Sequence, residues 1–220
     1  MKQKIILFDI DYTLFDVGYF DKHFHKKLSE MLLIDEDLIK KLSVDIIVEL
    51  IGREHFLDIN KYLKTLLPKL EKEKYKPQIE NLLFKTPFFR NGFYSEVESV
   101  LKTLKKIARL GIFSQGDERF QGAKIQHSGF KDLFEKELIY IIKPRKLDHL
   151  PFLKNKHQNE KLFLVDDKPN IICEVKKQMS SIFTVWIKRG KYAEAQKDIL
   201  GFSPDATITN LREMVKIVKA

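Results

Sequence analysis

The stretch Lys4-Ile5-Ile6-Leu7-Phe8-Asp9-Ile10-Asp11-Tyr12-Thr13-Leu14 decides how this chain reads. Behind Lys4 an apolar run stops at two carboxylates placed at alternate positions. Such a run suits a strand buried on both faces of a parallel sheet, because a half-exposed strand would alternate apolar with polar residues. Four more runs end as abruptly: Ala108 to Phe113, Leu138 to Ile142, Lys161 to Val165 and Ile182 to Ile187. Between them lie segments of helical spacing. In Ser95 to Ile107, the residues Val97, Val100, Leu101 and Leu104 share one face, and Ser95 with Glu98 is spaced as a capping box. Strands alternating with helices predict an α/β layered domain.

The stretch from about Tyr19 to Phe89 breaks that rhythm. It carries helical patterns (Phe24, Leu28, Met31, Leu32; Leu38 to Leu50; Tyr62, Leu63, Leu66, Leu67) and no convincing strand, so it reads as a helical insertion. Pro68, Pro77 and Pro87 predict breaks or loop entries within it, and the charged run Lys69 to Lys76 a solvated helix end or loop. The aromatic cluster Phe88, Phe89, Phe93 and Tyr94 is best spent on packing between the insertion and the rest of the chain.

Composition narrows the function classes. A chain of 220 residues has room for one core and a small accessory module. Its 44% hydrophobic and 32% charged residues are those of a globular protein, not a disordered one. Cys173 is the sole cysteine, which excludes an intrachain disulfide and a cysteine-based zinc site. Asp9 and Asp11 interrupt the first apolar run too early for a signal peptide, and no stretch approaches the ~20 apolar residues of a membrane span. A cytoplasmic protein with no membrane partner is expected, acting as a monomer or weak homodimer. The formal charge of +9 favours anionic substrates, but lysines such as Lys102, Lys105 and Lys106 are spread as on a solvated helix face. Without an aromatic-interleaved basic stripe, nucleic acid is disfavoured as a partner.

In open α/β sheets ligands bind beyond the carboxyl ends of the strands. Four polar sets occupy such places: Asp9-Ile10-Asp11-Tyr12-Thr13, Ser114-Gln115-Gly116-Asp117, Lys143-Pro144-Arg145-Lys146, and Asp166-Asp167-Lys168-Pro169-Asn170. Singly, each is more commonly a cap or a turn. Together they supply carboxylates, a hydroxyl and an ammonium in an order that chance rarely produces. The aspartates concentrate negative charge that a hard, oxygen-seeking cation such as Mg2+ would offset. A carboxylate can also attack phosphorus, splitting hydrolysis into formation and breakdown of an aspartyl phosphate. Ser114 and a lysine from Lys143 to Lys146 would then hold the phosphoryl oxygens.

These residues resemble the motifs of the haloacid dehalogenase superfamily. Asp9 to Thr13, with Leu14, is similar to its Asp-x-Asp-x-Thr first motif, Ser114-Gln115-Gly116 to the second, and Val165-Asp166-Asp167 to the acidic fourth. Lys124, Gly129, Leu133 and Phe134 also fall as in relatives, and Trp186 to Tyr192 resembles an Arg-Gly stretch that many carry. The resemblance implies a Rossmann-like three-layer fold: a parallel sheet core (1–18 and 90–220) with a small all-helical cap inserted after the first strand (19–89). It further implies a phosphatase acting on a small phosphorylated substrate. Asp9 would be the nucleophile and Asp11 the general acid and base. Asp9, Asp11 through its backbone carbonyl, Asp166 and Asp167 would hold Mg2+. Ser114 would bind phosphoryl oxygens, with Thr13, Gln115, Gly116 and Lys143 as further substrate-side candidates and Thr13 chiefly orienting its motif. For the third-motif lysine Lys146 is favoured over Lys143. Asn170 stands where many relatives have an aspartate, so Asp167 is the candidate second carboxylate.

An acid at position 11 suits an alkoxide leaving group and is superfluous for expelling halide, which disfavours dehalogenation. A phosphomutase would use similar residues. A non-catalytic binding module is disfavoured by the presence of both Asp9 and Asp11, and processing of phosphorylated nucleic acid ends by the absence of any nucleic-acid motif. From the cap, Phe20, His23, His25, Arg53, His55 and Phe56 are possible contacts, although each is more simply a packing or surface residue.

Overall fold

A computed structural model describes residues 3–54, 56–190, 193 and 199–220. His55 and Tyr192, named above, lie outside the described residues. The strands are β1 (Lys4–Phe8), β2 (Arg109–Gln115), β3 (Ile139–Ile142), β4 (Lys161–Asp166), β5 (Phe183–Ile187) and β6 (Ala206–Ile208). They form one parallel sheet in the order β3-β2-β1-β4-β5-β6. In β1, Ile5 to Phe8 have no exposure at all, which is why their sequence lacks alternation. Side chains divide by parity between the two faces. Ile6, Phe8, Ile112, Phe163 and Val165 join one core layer, whereas Ile5, Leu7, Phe113, Leu162 and Leu164 join the other. Helices cover both faces, giving the three-layer Rossmann-like arrangement.

Between β1 and β2 run four helices of the inserted stretch, α1 (Val17–Leu32), α2 (Glu36–Glu54), α3 (Ile59–Lys69) and α4 (Lys76–Lys85), followed by α5 (Val97–Leu104). The remaining α-helices among the described residues are α6 (Glu118–Gln126), α7 (Leu150–Lys156), α8 (Pro169–Gln178) and α9 (Met214–Lys219). Helix α1 starts where the Asp16 carboxylate accepts from the Tyr19 N–H, and it buries Phe20, Phe24, Leu28 and Leu32 at four-residue spacing. A buried hydrogen bond of 2.7 Å between Ser43 and the Tyr62 hydroxyl ties α2 to α3. The aromatic cluster joins the insertion to the sheet: Phe89 is fully buried, with its ring 6.0 Å from Phe15 and 5.4 Å from Phe120, and Phe93 stands between Phe15 and Phe130.

Several sequence expectations need correction. The capping box does not form: α5 begins at Val97, Ser95 is exposed, and Glu98 instead pairs with Lys102 one turn on. Pro68 lies inside α3, in its last turn, where the helix ends one residue later and little is left for the ring to disrupt. Pro77 opens α4, where a missing N–H costs nothing. Strand β2 continues through Ser114 and Gln115, so the second motif is the end of the strand itself. The edge strand β6 is only three residues long and carries no apolar run to betray it.

Gly111 shows how closely β2 is packed. A Cβ there would sit 2.4 Å from the Leu138 carbonyl oxygen and 2.8 Å from Leu7. Gly111→Ala is therefore expected to destabilise the fold by about 1–3 kcal/mol through overpacking, read from the midpoint of urea unfolding.

Candidate active site

Because all strands run parallel, their carboxyl ends share one edge, and β1 sits between β2 and β4 at the point where the strand order reverses. Asp9 follows directly on β1, and its N–H continues the ladder to the Val165 carbonyl at 2.9 Å. Asp166 ends the neighbouring β4, and Asp167 follows it. The carboxylates of Asp9, Asp166 and Asp167 each offer an oxygen within 4.8 Å of the others, and all three residues are buried. Lys146 enters from the short 3-10 turn after β3. Its ammonium donates to Asp9 at 2.9 Å, to Asp166 in a very close contact, and more loosely to the Phe113 carbonyl at 3.4 Å. Burial presses Lys146 toward neutrality, but the fields of Asp166 and Asp9 outweigh it and hold the ammonium firmly charged.

The alternatives left open by the sequence resolve geometrically. Lys146 reaches the carboxylates, whereas Lys143 is exposed and makes no ion pair with them. Asn170 is exposed on the first turn of α8, while Asp167 completes the carboxylate cluster. The Asp11 carboxylate turns away from that cluster and accepts from Lys124 at 2.6 Å and Gln121 at 2.9 Å. Ser114 is buried on β2, and the Gln115 side-chain oxygen accepts from the Lys146 N–H at 3.2 Å. Thr13 is wholly buried, and its hydroxyl has no partner. Gly116 allows a close approach, since a Cβ there would lie 2.9 Å from the Gln121 side chain that holds Asp11.

Sequence reasoning gave no role to several residues that build this edge. Gln121 and Lys124 stand three apart on α6, a spacing that puts both on the face toward Asp11. A lysine within an otherwise core-facing turn was the available signal. Arg189, just beyond β5, pairs with Glu96 at 2.5 Å, donates to the Thr13 carbonyl, and lies 4.0 Å over the Tyr94 ring. The next residue, Gly190 (φ 71°), leaves space that a Cβ would take from Tyr12, 2.1 Å away. Polar residues directly after a fifth apolar run should have been weighed as those after the first four were. Of the cap candidates, Phe20 is buried, His23 bonds its own helix at the Tyr19 carbonyl, and Arg53 pairs with Glu49 at the surface.

Electrostatics separate the aspartates. Burial pushes Asp9 up, against the pull of Lys146. Burial also presses on Asp11, yet Lys124 and Gln121 together keep its carboxyl below the usual range. Asp167 is pushed up to about 9, first by burial and then by the charges of Asp166 and Asp9, and both its oxygens are buried without a donor. Orphaned buried carboxylate oxygens beside two other carboxylates are what a divalent oxygen-binding cation would satisfy, so the residues present fit Mg2+.

Solved structures share this fold. A protein provisionally assigned as a haloacid dehalogenase-like hydrolase from Burkholderia xenovorans superposes with TM-score 0.81 at 22% identity, covering 99% of this chain and 97% of that one. The fold is that of the haloacid dehalogenase-like proteins. A second member, a provisionally assigned hydrolase from Bacillus subtilis bound to magnesium, gives TM-score 0.67 at 16% identity over 100% of both chains. L-2-haloacid dehalogenase from Xanthobacter autotrophicus gives 0.64 at 15% identity over 100% of this chain and 99% of that one. No family model and no curated protein matches the sequence.

The raised Asp167 carboxyl has a pH signature. In chelator the folded protein keeps a proton that the unfolded chain releases, so this contribution is complete in acid and lost progressively from about pH 4 to about pH 9. Asp167→Asn removes the ionisable group, and at pH 7–8 in EDTA it is expected to melt above the parent, with the difference vanishing near pH 4.

Proposed function

We propose that this chain is a Mg2+-dependent phosphomonoester hydrolase working through an aspartyl phosphate on Asp9. The observation that carries the reading is the buried cluster of Asp9, Asp166 and Asp167 crossed by the Lys146 ammonium. The three carboxylates, with the Asp11 backbone carbonyl, would hold Mg2+, which supplies the positive charge that lets an anionic ester approach an anionic nucleophile. Lys146 pulls the buried Asp9 carboxyl toward its ionised form, against the larger effect of burial, and lies where it can take up charge from the phosphoryl oxygens. An Asp9 oxygen attacks phosphorus as the bond to the leaving oxygen breaks. Ser114 contributes a hydroxyl donor, and Gln115 keeps the Lys146 turn in place.

Asp11 handles the proton. With both oxygens accepting hydrogen bonds from Lys124 and Gln121, it stands ionised, the form that takes a proton from the water attacking the aspartyl phosphate. To serve the leaving alkoxide in the first half it must first take up a proton from solvent. We read residues 19–89 as the cap that covers this edge and excludes water.

In the presence of Mg2+, wild type is expected to release phosphate from an aryl phosphate, and Asp9→Asn to lose about 10⁴-fold or more in kcat. Asp11→Asn should lose about 10²–10⁴-fold. Undiminished turnover in Asp9→Asn would sink the mechanism.

The solved dehalogenases of like fold motivate a second reading, halide displacement by the same aspartate. Asp11 and the carboxylate cluster argue against it, because halide departs without a proton and a carboxylate substrate would meet four aspartates. Chloride release from L-2-chloropropionate, followed by ion chromatography, is expected to stay at the buffer background.

A further inference from the structure

Beside Asp11 a cavity of about 200 Å³ opens between the first motif and the inserted helices. Its floor is polar, formed by Asp11, Gln115, Gln121, Lys124 and Lys168 at the end of the sheet. Its far wall is different in kind. Ile47 and Ile51 of α2, Phe56 and Leu57 after it, and Val17 with Phe20 of α1 line it, and Phe120 of α6 closes the side. Among the described residues of the inserted helices, the Asp21 carboxylate is the ionisable group that lines it. Pockets that take drug-sized ligands run to roughly 300–1,000 Å³, so this one admits a compact group.

We infer that the substrate is the phosphate monoester of a small, uncharged and mainly apolar alcohol or phenol, with the apolar part against α1 and α2. The inference rests on the phosphatase reading and deepens it. Three physical arguments exclude other classes. A sugar would bring several hydroxyls to a wall that is mainly aliphatic and phenyl and that, among the described residues of the inserted helices, offers them the Asp21 carboxylate as acceptor; most would go unpaired, and each unpaired hydroxyl costs binding. A carboxylate-bearing leaving group would meet Asp11 and Asp21. A nucleoside exceeds the space. The phosphoryl end, in contrast, finds Lys124 and Lys168 on the floor, so the cavity is divided into a charged and a mainly apolar half in the sense that such an ester needs.

The full-length protein with Mg2+ is assayed for phosphate release from n-pentyl phosphate and from glycerol 3-phosphate, whose leaving groups have equal numbers of heavy atoms. O-phosphoserine, glucose 6-phosphate and AMP complete the panel. The expected kcat/KM for pentyl phosphate exceeds that for glycerol 3-phosphate by roughly tenfold or more, with the other three lower still. Ile51 is 45% exposed, so Ile51→Asn should fold, as checked by circular dichroism, and should cut the pentyl-to-glycerol ratio about fivefold. Phe56→Ala, on a loop, asks the same question independently. Equal or better turnover of glycerol 3-phosphate, phosphoserine, glucose 6-phosphate or AMP overturns the inference and leaves the phosphatase reading standing. An unchanged ratio in both folded variants overturns it as well. Phosphate release from none of the five esters would remove the phosphatase reading and this inference with it.

Discussion

The structure turns on the cost of burying charge. Asp9, Asp166 and Asp167 are almost wholly removed from water at the end of two central strands, and nothing in an apolar sheet can solvate them. Lys146 answers part of that charge by bridging Asp9 and Asp166. The remainder, on Asp167, is met by proton uptake or by a cation. A buried ion pair of this kind adds little net stability, while loss of one partner is severe. Its effect on Asp9 is a pull toward the charged form in a place that burial alone would make neutral, a combination that ordinary folding would avoid.

The sheet places these groups with little freedom. Register alone carries Asp9, Ser114 and Asp166 to one edge, because Phe8 is paired with Ile112 on one side and Val165 on the other. The residues that adjust the chemistry come from elsewhere. Gln121 and Lys124 reach across from α6, and Arg189 from the far side of β5. Strands thus set position, and helices and loops set protonation and orientation.

That division also explains what could be read from the sequence. Apolar runs ending before Asp9, Ser114, Lys143, Asp166 and Lys188 are local signals, and the five strands they mark are present within two residues at each end. A strand ending at Ile142 needs a few loop residues before a lysine can turn back to its edge, and Lys146 is the one that reaches Asp9. Illegible were contacts made only by the third dimension. Lys124 meets Asp11 across 113 positions, and Arg189 meets Thr13 across 176. The failed capping box has a similar cause, since Glu96 at the start of α5 is committed to Arg189 and the local pattern at Ser95 yields to that distant tie. Strand β6 escaped because three residues hold too little pattern to register.

Arg189 carries a consequence for how the molecule is made. The loop with both catalytic-candidate aspartates is synthesised 176 positions before the side chain that pins its Thr13 carbonyl. Strand β1 likewise waits for β4 before both its edges are paired. Contacts so distant in sequence form late and slowly. A nascent chain therefore carries these carboxylates without the scaffold that aims them until β4, β5 and the residues just beyond β5 emerge.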